Sequence, residues 1–328
     1  MRKFKRGLLI TVLCMALVSL FALSGCGQSS DSASSESSSS DSTESAEAQL
    51  DPDVDYTKPF FCLIMGGDTR VGTADEKKVP DTESRSDVMI LAYVNPQKKY
   101  ISLMSIPRDT DVTYKGEEMK INNIMYKDGP EATCKFLGKK LGIDIPYYFE
   151  MSFVQWADFV DNMDGVTVDV PVSLEWRDII KGDTVSIEAG DDQTLNGTEA
   201  LVLARDRHQY EGPGEAVRQI NNRNMVKSLI TKVSKSDNPT QYVDILLSGC
   251  DSNMNSAELT EYMNNFLSKD GKISWNLGSA PWEGSFITSD YWAVPSDWET
   301  MKSEVKAMKK NTPLTDIVAL PVVSAGSN

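Results

Sequence analysis

The sequence predicts a layered α/β domain. Apolar runs of strand length, at residues 60–65, 88–94 and 100–106, alternate along the chain with segments that have helical periodicity. Strands and helices are therefore interleaved rather than segregated. Each element has one apolar side that must be buried against another layer, so this order favours an α/β domain over a helix bundle or a β-sandwich.

The elements follow from local signals. A turn-rich tetrad, Asn95-Pro96-Gln97-Lys98, predicts that the second and third strands form a hairpin. Asn196 and Glu199 have the spacing of a capping box, which opens a helix through Ala204. A long helix is predicted over 215–235 from its apolar stripe. Further predictions are helices at 130–141 and 154–163, strands at 147–151 and 166–170, and helix starts at 255–258 and 296–299.

The N-terminus has the pattern of a secretory signal. Basic residues at positions 2–6 precede an apolar run from Leu8 to Leu23, which ends in Leu23-Ser24-Gly25-Cys26. A short apolar run with these flanks is typical of a signal peptide rather than a permanent membrane span. The last four residues match the bacterial lipoprotein pattern, so we expect cleavage after residue 25 and a lipid on the sulfur of Cys26. Cleaved or uncleaved, the segment places the folded part at the outer face of the cytoplasmic membrane.

Composition divides the rest of the chain. Residues 26–57 are mainly Ser, Asp, Glu and Ala, and such a segment buries too little apolar surface to offset its ordering entropy. We therefore expect a disordered tether there, followed by one domain at 58–314 and a frayed tail at 315–328. The formal net charge of −15 argues against a nucleic-acid partner.

Several enzyme classes are excluded by the residues present. His208 is the only histidine, and the chain has no Gly-x-Ser-x-Gly elbow, which argues against a Ser-His-Asp or Cys-His hydrolase. It has no CxxC pair and no HExxH segment for zinc. It also lacks the Gly-x-x-x-x-Gly-Lys-Ser loop of P-loop nucleotide binding.

Three basic-acidic clusters are the strongest candidates for a site. They are Ser84-Arg85-Ser86-Asp87, Ser105-Ile106-Pro107-Arg108-Asp109 and Ala204-Arg205-Asp206-Arg207. Arginine's planar fork suits phosphate oxygens, so arginines from separate segments suggest an anion of pyrophosphate size. The predicted hairpin brings Arg85, Asp87 and Arg108 to one edge of the sheet. Surface salt bridges are the alternative for any single cluster.

Two carboxylates add a cation to this picture. Asp68 follows the first predicted strand and Asp87 begins the second, so both could offer oxygen ligands to Mg²⁺ while phosphate and water complete the shell. On the long helix, Arg218 and Asn222 are one turn apart and can face the same pocket.

In these residues the sequence resembles the LytR-CpsA-Psr family of cell-wall glycopolymer transferases. Six stretches match in order and spacing, between about residues 60 and 233, and together they are far more specific than any one alone. The stretches are Ile64-Met65-Gly66-Gly67-Asp68-Thr69-Arg70, Ser84-Arg85-Ser86-Asp87-Val88-Met89, Ser105-Ile106-Pro107-Arg108-Asp109-Thr110, Lys120-Ile121-Asn122, Asp164-Gly165-Val166-Thr167-Val168, and Leu195-Asn196-Gly197-Thr198-Glu199-Ala200 with Arg205-Asp206-Arg207.

The resemblance implies an α/β/α sandwich around a central mixed sheet, with an apolar channel for a polyprenyl tail. It implies a phosphotransferase that moves a glycopolymer from an undecaprenyl-pyrophosphate carrier to peptidoglycan through a phosphodiester. The implied cofactor is Mg²⁺, which Mn²⁺ could replace. Asp87, Arg108 and Arg85 would be catalytic, and Asp68 and Asp87 would hold the metal or accept the acceptor's proton. The pyrophosphate would be bound by Arg85, Arg108, Arg205, Arg207, Arg218 and Asn222, with Arg70, Lys120 and Asn122 as second-rank candidates.

One departure from the family pattern concerns the long helix. Relatives of this family usually continue with Arg-x-x-Arg-Gln, whereas here Arg218 is followed by Asn221-Asn222, and Arg223 one residue further could compensate. Two other functions stay open. One is hydrolysis of a polyprenyl pyrophosphate, since the acceptor groove is not readable from one chain. The other, which the departure supports, is a lipoprotein that binds lipid-linked glycan without turnover. Met65, Met89 and Met104 fit either a lipid channel or plain core, and plain core is the commoner role.

Overall fold

A computed structural model describes residues 48–76, 84–210, 214–281, 285–286 and 292–315. The predicted signal peptide, the predicted lipid-bearing Cys26 and the last residues of the predicted tail lie outside this range. Within it, no helix is both long and apolar enough to cross a membrane.

The elements are named here in chain order. They are β1 (Phe60–Gly67), β2 (Ser86–Asn95), β3 (Tyr100–Ser105), β4 (Asp111–Tyr114), β5 (Glu117–Lys120), α1 (Asn122–Leu141), β6 (Tyr147–Met151), α2 (Phe153–Asn162), β7 (Val166–Val170), β8 (Leu174–Arg177), β9 (Thr184–Ile187), β10 (Gly190–Leu195), α3 (Gly197–Arg205), α4 (Gly214–Ser234), α5 (Gln241–Ser248), β11 (Asp251–Ser252), α6 (Ser256–Leu267), β12 (Ser274–Ser279), β13 (Ser285–Phe286), β14 (Trp292–Ala293) and α7 (Trp298–Lys310).

The central sheet has six strands in the order β11-β6-β1-β2-β3-β12. β2 runs antiparallel to both β1 and β3. β6 runs parallel to β1, and β12 runs parallel to β3. The sheet is therefore mixed, and it is closed at one edge by the short antiparallel β11.

Alternate residues of the strands supply two separate cores. Leu63, Met65 and Leu91 point to one face, where they pack against α1 and α7. Their neighbours Cys62 and Ile90 point to the other face, toward α4 and α6. Strand side chains alternate between faces, so a strand that is apolar at every position must be covered on both sides. Helices on both faces make the α/β/α sandwich that the family resemblance implies.

The β2–β3 hairpin is confirmed. Asn95 pairs with Tyr100, and the predicted tetrad forms a single 3-10 turn at Pro96–Lys98 that Lys99 ends in a left-handed conformation (φ 47°). The side chain of Asn95 accepts a hydrogen bond from the Lys98 backbone N–H, at 3.1 Å. This turn fixes the hairpin register and thereby places the start of β2 beside the end of β3.

A third core lies beside the sheet and positions the segment Ala204-Arg205-Asp206-Arg207. α2, α3 and α4 pack around the antiparallel pair of β7 and β10 through apolar side chains such as Val160, Val168 and Leu203. Gly197, the first residue of α3, lies so close to α2 that a Cβ atom would come within 2.0 Å of the Ala157 carbonyl oxygen. This close packing sets where the C-terminal end of α3, and hence Arg205, is delivered.

Most predicted elements are confirmed within one or two residues at each end. The segment α1 (Asn122–Leu141) also contains a helix before the predicted one, and Gly129, with a φ of 82°, interrupts it just before the predicted start at Pro130. Helix α7 begins within the predicted segment 296–299, where the carboxylate of Asp297 accepts from the Thr300 N–H. Glycine tolerates the positive φ at position 129, and proline suits the turn that follows it.

Candidate active site

The ends of β1 and β3 and the start of β2 meet at one edge of the sheet, where charged side chains collect. Arg108 Nη1 lies 2.5 Å from Asp87 Oδ1, and Arg108 Nε lies 3.5 Å from the carboxylate of Asp109. Asp109 is itself buried and bound at 2.8 Å by Lys120. Burial opposes the charge on Arg108, but Asp87, Asp109 and Glu215 raise its pKa above the ordinary value. The guanidinium is thus held in place from several sides.

Asp68 is anchored by the backbone opposite it. Its carboxylate accepts a hydrogen bond from the Arg85 N–H at 2.6 Å, and its own N–H donates to the Arg85 carbonyl at 3.0 Å. Burial and the neighbouring charge of Asp87 raise the pKa of Asp68. A cation bound between these two half-buried carboxylates would relieve their mutual repulsion, so the place is favourable for a cation.

These carboxylates fit a hard metal ion that takes most of its ligands from elsewhere. Asp68 and Asp87 keep oxygen atoms beyond those that bind the Arg85 N–H and the Arg108 guanidinium. Among the described residues, no group of three or more His, Cys, Asp or Glu side chains could form a complete metal site. Two carboxylates plus substrate phosphates and water is the pattern that Mg²⁺ commonly accepts.

Arg85 is placed differently from the expectation. Its Nε donates to Asn123 Oδ1 at 2.9 Å, and its guanidinium lies 5.7 Å from the ring centroid of Tyr126, both residues of α1. The backbone of Arg85 therefore joins the site through Asp68, but its side chain is directed toward α1 rather than into the cavity. Arg108 and Asp87 converge as predicted, whereas the Arg85 guanidinium does not line the cavity with them.

Two other arginines share one aromatic ring. The guanidinium of Arg205 lies 4.7 Å, and that of Arg70 5.3 Å, from the ring centroid of Phe153 at the start of α2. Burial and the nearby charge of Arg70 lower the pKa of Arg205. Two like charges held together over a ring face form a site that an anion would stabilise.

The start of α4 closes the site. Arg218 is buried and donates twice to Glu215, from Nε at 2.9 Å and from Nη2 at 2.6 Å. Burial alone would raise the pKa of Glu215, but Arg218 and Arg108 lower it overall, so this carboxylate stays ionised. Gly214 is required at the first position of α4 because a Cβ there would approach the Arg207 carbonyl oxygen to 1.8 Å.

The two asparagines that depart from the family pattern hold the arginine segment. Asn221 Nδ2 donates to the hydroxyl of Tyr210 at 3.1 Å, and Asn222 Nδ2 donates to the Ala204 carbonyl at 3.2 Å. They bind the chain on either side of Arg205 and Arg207, and so fix α4 to that segment. Asn222 lines the cavity as predicted, and its amide nitrogen binds the backbone.

Arg223 does not fill the missing arginine place. It is almost completely buried, and its Nη1 donates to Ser105 Oγ at 2.8 Å and to Ser279 Oγ at 2.7 Å. These serines end β3 and β12, so Arg223 joins α4 to the sheet and does not line the cavity. The idea that it compensates at the pocket edge is wrong for this arrangement.

A long apolar cavity opens between the sheet and α4, α5 and α6, with a volume of about 600 Å³. At one end lie the charged residues Asp68, Arg70, Asp87, Arg108, Arg205, Arg207 and Arg218, here called the arginine mouth. The wall is formed by alternate residues of β1, β2 and β3 and by Val226 and Ile230 of α4. Pockets of this size with a few polar groups at one end are typical ligand sites.

Several lining residues were not found from the sequence. The indole N–H of Trp156 is buried in the wall and has no hydrogen-bond partner among the described residues. His208 stacks on Trp176 with ring centroids 5.7 Å apart, and both rings line the cavity. Met89 and Met104 pack in the core on the opposite face, so they are core residues rather than channel residues.

The α/β/α sandwich thus contains an apolar cavity with the arginine mouth at one end. A sequence model of the LytR_cpsA_psr family matches residues 23–310, and the chain belongs to that family.

Relatives and solved structures support the same family. The chain is 30% identical over 195 residues to the polyisoprenyl-teichoic acid–peptidoglycan teichoic acid transferase TagU of Bacillus licheniformis, covering 59% of this chain and 58% of that protein. It is 30% identical to TagV of Bacillus subtilis over 55% of this chain and 45% of that protein. The matched part thus spans about half the length of these curated relatives.

The fold agrees with solved structures. The crystal structure of Bacillus subtilis TagV superposes with a TM-score of 0.65 at 22% identity, over 79% of this chain and 99% of that one. A structure of TagT bound to LIIa-WTA has a TM-score of 0.59 at 18% identity, over 81% of this chain and 94% of that one. At these identities the likeness establishes the fold.

Proposed function

We propose that this chain is an extracytoplasmic phosphotransferase that moves a glycopolymer from an undecaprenyl-pyrophosphate carrier to peptidoglycan. The observation that carries the proposal is the junction of the arginine mouth with a long apolar channel. A polyprenyl pyrophosphate is a dianion joined to a long apolar tail, so it matches both parts at once. The names of the curated relatives, which describe teichoic acid transfer to peptidoglycan, support the same class of reaction.

The proposed reaction replaces a phosphoanhydride bond of the donor with a phosphate ester bond to the acceptor. A hydroxyl oxygen of the peptidoglycan sugar attacks the phosphorus atom that carries the glycan. The bond from that phosphorus to the bridging oxygen breaks, and polyprenyl phosphate leaves with the bonding electron pair. The hydroxyl proton passes to a base, and the product is a phosphodiester between glycan and peptidoglycan. Such a transfer depends mainly on positioning and charge stabilisation.

The residues divide this work by position. Arg108, fixed by Asp87, and the Arg70–Arg205 pair on Phe153 lie where they can bind pyrophosphate oxygens. Arg207 and Arg218 also line the arginine mouth, where Arg218 is paired with Glu215. Asp68 and Asp87 lie beside these arginines, where they can hold a metal ion or accept the proton of the acceptor hydroxyl.

Mg²⁺ is part of the proposal, with Asp68 and Asp87 as its protein ligands. When bound, the ion would neutralise charge on the phosphates and favour departure of the polyprenyl phosphate. Mn²⁺, which takes similar oxygen ligands, is a possible substitute. We also propose that the chain works at the outer face of the cytoplasmic membrane, held there by a lipid on Cys26.

The test is a transfer assay with the full chain in detergent. A polyprenyl-pyrophosphate oligosaccharide and peptidoglycan fragments are incubated with Mg²⁺, with Mn²⁺ or with chelator, and attached glycan is measured. We expect attachment that needs the metal and that falls at least about 100-fold in Asp68→Asn. Asp128→Asn, which removes a carboxylate of an exposed ion pair with Lys115, is the matched control. Release of free glycan phosphate without attachment would indicate a hydrolase, and donor binding without turnover would indicate a binding protein.

A further inference from the structure

Six lysines lie together at the edge of the central sheet opposite the arginine mouth. They come from three separate segments: the β2–β3 turn, the loop between α6 and β12, and the end of α7. We call them the lysine edge, and its members are Lys98, Lys99, Lys269, Lys272, Lys309 and Lys310.

Contacts between the segments show that they adjoin. Lys99 Nζ donates to the Lys269 carbonyl at 2.8 Å, and the Lys99 carbonyl accepts from the Ser274 N–H at 3.0 Å. Lys309 Nζ lies 5.4 Å from the ring centroid of Phe61, near the start of β1. The turn, the loop and the end of α7 therefore form one continuous surface.

The charge of this surface opposes that of the chain. All six lysines are exposed except the half-buried Lys99, and the same three segments contain a single carboxylate, Asp270. The whole chain has a formal net charge of −15. A local excess of positive charge on an acidic protein directs association toward an anionic partner.

The course of the chain indicates which anionic partner. The segment before β1 runs along α6, because Asn255 Nδ2 donates to the Gln49 carbonyl at 3.0 Å and Tyr56 packs on Tyr262 with ring centroids 4.9 Å apart. Helix α6 ends at the lysine edge. The described chain therefore begins beside the start of α6, about 18 Å along this helix from the lysine edge.

The apolar cavity reaches this side as well. Phe60 at the start of β1, Val94 at the end of β2 and Ile101 at the start of β3 all line it. These residues are one strand length from the arginine mouth, which for the eight residues of β1 is about 26 Å.

We propose that the lysine edge docks on anionic lipid headgroups of the membrane to which the chain is tethered. The arginine mouth then lies about one strand length above the bilayer surface. A polyprenyl tail longer than the cavity can pass from its lower end directly into the bilayer. This last consequence rests on the proposed function, whereas the docking rests on the charges and on the course of the chain.

The experiment measures how fast lysines react with a membrane-impermeant amine reagent. The full chain is incorporated into vesicles of phosphatidylcholine alone or of equal parts phosphatidylcholine and phosphatidylglycerol, and modification of Lys309 is followed by mass spectrometry. We expect Lys309 to react about fivefold more slowly on the anionic vesicles, because attraction to an anionic surface favours the bound state of one lysine by a comparable factor. Molar salt, which shortens the Debye length to about 3 Å, should remove the difference.

Two matched variants separate this surface from general charge. The first carries Lys98→Gln, Lys269→Gln, Lys272→Gln and Lys310→Gln; the second carries Lys115→Gln, Lys127→Gln, Lys135→Gln and Lys181→Gln, which lie elsewhere and change the net charge equally. We expect only the first set to abolish the slower reaction of Lys309. Equal rates on both vesicles in the unaltered chain would overturn the proposal, and so would equal loss in both variants.

A soluble anionic polymer provides the remaining comparison. If added polyglycerol phosphate slows Lys309 on neutral vesicles more than phosphatidylglycerol does, the lysine edge binds wall polymer instead and the membrane proposal fails. Transfer by the first variant in detergent should match that of the unaltered chain. Loss of docking with full transfer activity would thus separate this proposal from the proposed function.

Discussion

Arg108 and Asp87 form a 2.5 Å ion pair across the β2–β3 hairpin, and the pair lies at the arginine mouth. The two residues are 21 positions apart in the sequence, and the hairpin register alone brings them together. An arginine that is fixed before substrate arrives loses little entropy when it binds phosphate, which favours stabilisation of the transition state.

Replacement of Arg108 by alanine should therefore lower activity much more than stability. Transfer should fall at least about 100-fold, because one preorganised charge at the phosphate is lost. The melting temperature should change by only a few degrees, since Asp109 keeps Lys120 as its partner. Arg177→Ala, which removes one side of an exposed ion pair with Asp75, is the control. A large fall in melting temperature with normal transfer would show that Arg108 is structural.

Arg205→Gln should weaken donor binding without destabilising the protein. In the free protein, burial and Arg70 disfavour the charge on Arg205, so removing that charge relieves a repulsion. We expect the Kd for a polyprenyl pyrophosphate to rise about tenfold or more, as for loss of a charge-assisted contact, with an unchanged or higher melting temperature. Titration calorimetry and thermal unfolding measure the two quantities. A lower melting temperature with an unchanged Kd would contradict the assignment.

Asn222→Leu tests whether the departures from the family pattern act through the backbone. This change removes the hydrogen bond to the Ala204 carbonyl with little change of volume. We expect the Kd for inorganic pyrophosphate to rise several-fold, because Arg205 and Arg207 lose part of their support, while kcat changes less. Asn224→Leu, on the same helix but outside the cavity lining, should have no such effect. A fall in kcat at constant Kd would instead place Asn222 on the reacting groups.

Glu150 makes the stability of the protein depend on pH. Burial, with a contribution from Asp251, raises the pKa of Glu150 from 4.5 to about 7. The folded state therefore binds this proton more tightly than the unfolded chain, so the stabilisation is complete below pH 4.5 and is lost as the pH rises through about 7.

Glu150→Gln should remove this loss. Between pH 5 and pH 8 the free energy of unfolding of the unaltered chain should fall, relative to the variant, by an amount on the order of 2 kcal/mol. Urea unfolding at the two pH values measures the difference, with the exposed Glu118→Gln as the control. Parallel pH dependence in all three proteins would show that Glu150 does not have a raised pKa.

Val226→Trp should make donor binding sensitive to the length of the donor tail. Val226 is part of the cavity wall, and an indole in its place would fill space that an apolar chain needs. We expect the Kd for a long-chain polyprenyl donor to rise at least about tenfold while that for a short-chain donor changes little. The control is Lys227→Trp, one position along the same helix and outside the lining. An equal effect on both donors would argue against a tail in the cavity.

Local signals in the sequence were sufficient for much of the fold. The Asn95-Pro96 turn fixed the hairpin and its pairing, and the capping boxes at Asn196 and Asn255 marked the first residues of α3 and α6. Strand β12, Ser274–Ser279, was missed because its polar residues and Gly278 do not have a strand pattern. Its place beside β3 depends on tertiary contacts such as the Asn276 side chain, which binds Thr312 and Tyr100.

The site was predictable in its charges but not in its geometry. Motif spacing located Asp68, Asp87, Arg108, Arg205 and Arg207, which all line one cavity. Motif spacing did not predict the direction of the side chains, because the orientation of Arg85 toward α1 depends on Asn123 and Tyr126, nearly forty residues away. Phe153 carries no charge, so nothing in the sequence indicated that two arginines would share its ring.

The most direct test of the account follows a labelled phosphorus atom. A polyprenyl-pyrophosphate oligosaccharide, with ³²P in the phosphate next to the sugar, is incubated with the full chain, peptidoglycan fragments and Mg²⁺. We expect the label to move to peptidoglycan with the glycan and the released polyprenyl phosphate to be unlabelled, and we expect neither result with Asp87→Asn. Label recovered only as free glycan phosphate, or transfer that survives loss of Asp87, would contradict it.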